Sequence, residues 1–197
     1  RPVQRRHHEL DDLLGAQIDP WEAQLLTSLE LTVDVHCLTQ HLLSPDPLYL
    51  VSDGGAREHL VTGSFGWLLA TQTDTLVSCG GPVTGNLISS FRCEAMGRLS
   101  ALLFLNKYCH CHAIVPKAPL FTYLDNKGVI QMEERLRAFP YLFPSATISS
   151  DVDVFLSLLD IHKELPWHTI DTHHVKAHQD DSQCFASLSR PAQLNVL

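Results

Sequence analysis

The chain has no hydrophobic run long enough to cross a membrane: its most apolar stretches, such as Leu99–Leu105, fall far short of the roughly 20 residues that a bilayer requires. Positive charge is also scarce. Lys and Arg number 14 against 22 Asp and Glu, a formal net charge of −8 with a pI near 5.8, which argues against a module that grips nucleic acid through a basic face. It leaves open an enzyme that meets phosphates through cations held by its own carboxylates, because a bound cation reverses the local field. No secretory leader is visible, since the opening RPVQRRHHELDD is charged and runs into no apolar segment. An intracellular protein, cytoplasmic or nuclear, is therefore expected. The first residue is not methionine, so the chain reads as a piece of something longer. The six cysteines show no paired C-x-x-C spacing. Even YCHCH, ending at His112, has no second pair at a suitable distance, so buried free thiols are expected there rather than zinc.

What is present is pattern. With 45% hydrophobic residues, the composition is that of one globular domain with a real core plus an appendage. Residues 1–47 form the appendage: Trp21, Leu25, Leu26 and Leu29, then Leu38, Leu42 and Leu43, recur at helical spacing until Pro45 and Pro47 break it. From 48 to 197 the pattern changes. Leu48–Val51 is an apolar run that stops at Ser52-Asp53-Gly54-Gly55, the mark of a short buried strand. Strands are predicted over Ser64–Ala70 and Thr75–Gly80, with a hairpin at Thr71–Asp74. Ser89-Ser90 is a natural N-cap for a buried helix through FRCEAMGRLSALLFLNKY. A strand at Leu120–Leu124, a polar helix over Val129–Phe139, and a helix capped by Asp151 or Asp153 follow. A strand within WHTIDTHHV and a last helix from Arg190 complete the chain. Three meandering strands followed by alternating helices and strands specify an α/β mixed sheet with helices on its faces.

Asp53 and Asp125 each stand where an apolar strand ends. If their strands are parallel neighbours, both carboxylates emerge at the same sheet edge, where α/β folds bind ligands. Glu94 sits in a buried helical pattern that disfavours an idle charge. Three converging carboxylates repel one another, and divalent cations resolve the repulsion; a pair of Mg²⁺ ions about 4 Å apart promotes phosphodiester hydrolysis. Each residue also has a plainer reading: an Asp-Gly turn at Asp53, a turn at Asp125, a helix N-terminal charge at Glu94. His173 and His174 point to opposite faces of a strand and do not share a metal.

Five segments in order, LVSDGGA, SSFRCEA, TYLDNKGVI, HHVKAHQDD and LSRPAQLNVL, resemble the type 1 ribonuclease H family. The resemblance is greatest to the ribonuclease H domain that follows reverse transcriptase in retrotransposon polyproteins. It spans Leu48–Leu197 and implies a five-stranded mixed sheet of order 3-2-1-4-5 with helices on both faces. It further implies a metal-dependent endonuclease that hydrolyses the RNA strand of RNA–DNA hybrids with two Mg²⁺ ions, for which Mn²⁺ can substitute. By motif, Asp53, Glu94 and Asp125 become the metal-binding carboxylates. His178 becomes the loop histidine that helps proton transfer or product release, with an ordinary pKa near 6.5. Ser89, Ser90 and Arg92 fall in the region that touches the RNA strand, Asn126 in a substrate-contacting position, and Gly54 and Gly55 give a backbone that substrate can approach. The RNA strand would be distinguished by its 2′-hydroxyls. Residues 1–47 look like the segment that links this domain to an upstream reverse transcriptase, the implied partner besides the hybrid; no membrane is implied.

Two departures stand out. The family's fourth carboxylate, an aspartate a few residues beyond LN, has no counterpart up to Leu197, so the last helix reads as cut short; Asp180 and Asp181 lie in the preceding loop instead. The basic handle of some ribonucleases H is likewise not evident, a grip that a polymerase portion could supply. The rival expectation is a non-catalytic domain that positions nucleic acid.

Overall fold

Six strands form one mixed sheet at the centre of the computed structural model, which describes residues 12–15, 18–57, 61–85, 87–138, 151–167, 169–176 and 185–196. The strands are β1 (Glu30–Leu31), β2 (Leu48–Arg57), β3 (Thr62–Ala70), β4 (Thr75–Pro82), β5 (Leu120–Leu124) and β6 (Ile170–His174), ordered β1-β4-β3-β2-β5-β6. The helices are α1 (Pro20–Leu25), α2 (Val35–Leu43), α3 (Ser90–Cys111), α4 (Lys127–Ala138), α5 (Val152–Glu164) and α6 (Arg190–Val196). The expected order is present as β4-β3-β2-β5-β6: β2, β3 and β4 are antiparallel, and β5 and β6 continue from β2 in parallel. No described helix is long and apolar enough to cross a membrane.

The count of five strands is corrected to six. β1 interrupts the helical lead-in, pairing Glu30 with Ser78 and Leu31 with Val77. The N–H of Thr32 adds a bond of 3.0 Å to the carbonyl of Leu76. Two residues are too few to show a period, so the spacing around them reads as helix. The lead-in shares the main core: Leu25, Leu26, Leu38 and Leu42 are all buried in it.

β2 is also longer than its apolar run. It passes through Asp53, Gly54 and Gly55 to Arg57 because β3 stays alongside, pairing Asp53 with Gly66 and Arg57 with Thr62. The Asp-Gly pair is therefore not a turn. The parallel partner stops sooner, the last β2–β5 pair being Val51 with Tyr123. Alternation along β2 sends Leu48 and Leu50 into the main core. It sends Tyr49 and Val51 to the opposite face, where Leu194 of α6 packs.

α3 is the helix that the sheet is built around. Ser89 caps it, its hydroxyl accepting the N–H of Arg92 at 3.1 Å. Every residue from Arg92 to Asn106 is buried, with β2 and β3 on one side and α5 on the other. Trp67 and Ser100 are paired within that core. Trp67 Nε1 donates to Ser100 Oγ at 2.8 Å, and Ser100 Oγ donates to the carbonyl of Leu25 at 2.8 Å. The hairpin at Thr71–Asp74 closes as expected, with the Thr71 N–H 2.8 Å from the Asp74 carbonyl.

Candidate metal centre

Three elements deliver three carboxylates to one place. Asp53 lies on β2, two residues past the end of the parallel ladder. Asp125 follows the last residue of β5, and Glu94 lies near the start of α3. One ligand oxygen from each falls within 4.8 Å of the others. The convergence is a product of topology: β2 and β5 are parallel neighbours, so their carboxyl ends share an edge, and α3 crosses over that edge.

Glu94 is 2% exposed, whereas Asp53 is open to solvent and Asp125 half-buried. Burial pushes the Glu94 carboxyl up to about 11, and the adjoining Asp125 and Asp53 push it the same way. At neutral pH such a group ionises only when a cation takes the proton's place. The donor set fits one. Carboxylate oxygens are the hard ligands that Mg²⁺ and Mn²⁺ accept, and Glu94 Oε2 is buried without a hydrogen-bond partner. Asp53 Oδ1 is fixed by the Gly54 N–H at 2.7 Å, and His174 Nε2 lies 2.9 Å from the Asp125 carbonyl oxygen. Beside the cluster is a cleft of about 590 Å³ whose lining includes Asp53, Gly55, Ser64, Gly66 and Asn195.

The other expected site residues divide. Gly55 faces open space, with nothing within 4 Å of a Cβ built there. Gly54 is a correction: it faces α3, and a Cβ there would lie 2.3 Å from backbone atoms of Cys93 and Glu94. The close approach that needs this glycine is made by the protein's own helix. Ser89 is occupied as the cap of α3, and Ser90 beside it is exposed. Asn126 Oδ1 accepts the Gly128 N–H at 3.0 Å, at the start of α4.

Arg92 is the second correction. It is 6% exposed, and its guanidinium bonds Asp153 at 2.7 and 3.0 Å, Asp151 at 3.3 Å and the Thr84 carbonyl at 2.8 Å. Those partners tie α3 to the start of α5 and hold the side chain in a buried network. His178, Asp180 and Asp181 lie outside the described residues.

One group was missed. Arg98 and Glu133 form a fully buried ion pair, Nε to Oε1 at 3.0 Å, between α3 and α4. The available signal was a lone arginine inside the apolar run AMGRLSALLFL, which a buried helix tolerates only with a partner.

No family model and no curated protein matches the chain. Among solved structures it is similar to the N-terminal RNase H domain of Rv2228c from Mycobacterium tuberculosis, fused to maltose-binding protein. That match has a TM-score of 0.48 and 14% identity, covering 75% of this chain and 94% of that one. A second is LC11-RNase H1 in complex with an RNA/DNA hybrid, with a TM-score of 0.49 and 13% identity over 68% of this chain and 88% of that one. A third is the foamy viral protease-reverse transcriptase in complex with an RNA/DNA hybrid: TM-score 0.49, 11% identity, 67% of this chain and 18% of that one. At such scores the functional reading rests on the carboxylate geometry.

Proposed function

We propose that the chain is a divalent-cation-dependent endonuclease that hydrolyses the RNA strand of RNA–DNA hybrids, as part of a retroelement reverse transcriptase polyprotein. The observation that carries the reading is the approach of Asp53, Glu94 and Asp125 to within 4.8 Å of one another. Carboxylates from three separate segments repel at that spacing, and a cation site gives the repulsion a purpose. The order of the motifs, from LVSDGGA to LSRPAQLNVL, supports the hybrid as substrate and a reverse transcriptase as the upstream neighbour.

Asp53, Glu94 and Asp125 would hold the cations, with Mg²⁺ the expected ion and Mn²⁺ a substitute. When bound, such ions supply the Lewis-acid charge that phosphodiester hydrolysis needs. The chain's own residues present and orient the substrate. Asp53 is held in place by the Gly54 N–H, Gly55 leaves space for an approaching backbone, and Ser90 and Asn126 border the path of an RNA strand read through its 2′-hydroxyls. His178 would move a proton or ease product release.

The test is cleavage of a labelled hybrid, a double-stranded RNA and a double-stranded DNA in Mg²⁺ or Mn²⁺, with Asp53→Asn alongside. Cutting of the hybrid alone is expected, lowered in the variant on the order of a hundredfold or more, as removal of a group that stabilises developing charge does. Equal cutting by the variant, or no Mn²⁺ uptake by the parent chain, would overturn the reading. A hybrid bound but left intact would favour the non-catalytic, nucleic-acid-positioning alternative.

A further inference from the structure

Arg98 lies on α3 one turn beyond Glu94, and Glu133 lies on α4, the helix that Asp125 leads into. Both are buried, at 1% and 3% exposure. Arg98 Nε donates to Glu133 Oε1 at 3.0 Å and Nη2 to Oε2 at 3.3 Å, a two-pronged contact that fixes orientation as well as distance. Nη2 also donates to Thr172 Oγ1 of β6 at 3.2 Å. Thr172 Oγ1 in turn accepts the Thr122 hydroxyl at 2.9 Å, on β5 three residues before Asp125. From the remaining sides, Arg137 Nη2 reaches Glu133 Oε2 at 3.0 Å, and His162 Nε2 of α5 lies 3.3 Å from the same oxygen. One guanidinium thus joins the helix that carries Glu94 directly to α4 and β6, and through Thr172 to β5.

We infer that Arg98 and Glu133 are positioning residues that set the separation of Glu94 and Asp125, and so the affinity of the metal centre; this rests on the cation-site reading above. Glu94 and Asp125 repel when both are ionised, so their spacing needs an outside restraint. Direct packing of α3 on α4 is slight. A buried ion pair is also a poor choice for stability alone, since apolar residues of similar volume often stabilise a core as well or better. What the pair supplies that apolar residues do not is a fixed geometry. Although burial opposes its charge, Arg98 and His162 keep the Glu133 carboxyl well below the usual range, so the restraint persists across neutral pH. Second-layer contacts of this kind tune metal sites by ordering the ligands.

The experiment is Mn²⁺ titration calorimetry with thermal melting of the same chain, using four proteins. These are the parent, Asp53→Asn, the charge-neutral double variant Arg98→Met/Glu133→Leu, and Arg98→Lys, which keeps the charge without the fork. The parent is expected to take up Mn²⁺ and Asp53→Asn to lose most of that uptake. The double variant is expected to melt within a few degrees of the parent yet bind Mn²⁺ about tenfold more weakly, the low end of outer-layer effects at metal sites. Arg98→Lys is expected to bind more weakly than the parent, by a smaller factor. Parent-like affinity in the double variant overturns the inference while leaving the cation site standing. If the double variant does not fold, parent-like affinity in Arg98→Lys overturns it equally. A parent that takes up no Mn²⁺ overturns the cation-site reading itself.

Discussion

Gly54 lies so close to the start of α3 that a Cβ built on it would sit 2.3 Å from Cys93 C and from Glu94 N. Neither atom can swing aside, because both are backbone in a helix buried from Arg92 to Asn106. The missing side chain is what allows the helix bearing Glu94 to rest on the strand bearing Asp53.

Gly54→Ala should therefore force α3 off β2. Overpacking costs typically about 1–3 kcal/mol and occasionally more, and the upper part of that range is expected here, with weakened Mn²⁺ binding in whatever remains folded. Gly55→Ala, one residue on, meets nothing within 4 Å and should change stability by less than about 0.5 kcal/mol. Denaturant melts of the two variants side by side decide it. Equal stabilities would mean that the contact at Gly54 does not govern the approach of the helix.

Glu94 gives the metal-free protein an unusual pH dependence. Its carboxyl is raised from 4.5 to about 11 in the fold. Between those values the folded chain keeps a proton that the unfolded chain has released, so stability falls as pH rises through the window, by at most about 1.4 kcal/mol per unit. Glu94→Gln removes that slope. With chelator present, the variant should match the parent near pH 4.5 and exceed it increasingly toward pH 9; without chelator, it should take up no Mn²⁺. Parallel stability profiles for the two proteins between pH 5 and 9 would contradict the assignment.

Arg92 should behave as a structural residue. Removing one partner of a buried pair costs about 3–5 kcal/mol; the exposed Asp153, with its side chain 62% accessible, reduces that, and about 2 kcal/mol is expected for Arg92→Met. Where the variant remains folded, its affinity for hybrid should stay within about twofold of the parent. Fluorescence anisotropy with a labelled hybrid, run beside a denaturant melt, tests both halves. Lost affinity at unchanged stability would return Arg92 to the RNA-contacting role that its motif suggests.

How far the fold could be read beforehand follows from which signals are local. A short apolar run ending at Asp125 marks β5, the cap at Ser89 marks α3, and Thr71–Asp74 marks a hairpin, since each is written within a few neighbouring residues. The meeting of Asp53 with Asp125 was legible too, because two parallel strands joined through a helix must end at one edge. The parts that were not legible depend on distant partners. β2 outruns its apolar stretch only because β3 accompanies it to Arg57. Gly54 looks like a turn residue until Cys93 is placed against it. Arg92 and Arg98 carry the same charge in the same helix, and which carboxylate each finds depends on how α4 and α5 dock.

β1 also changes what the sheet presents beside β4. The outer strand of a sheet is a template onto which another chain can add, and here Glu30, Leu31 and Thr32 occupy part of that template on β4. The segment ahead of Leu48 thus covers part of the β4 edge as well as supplying core leucines. Any rearrangement that lifted it away would bare a sticky edge at the same moment as it opened the hydrophobic interior.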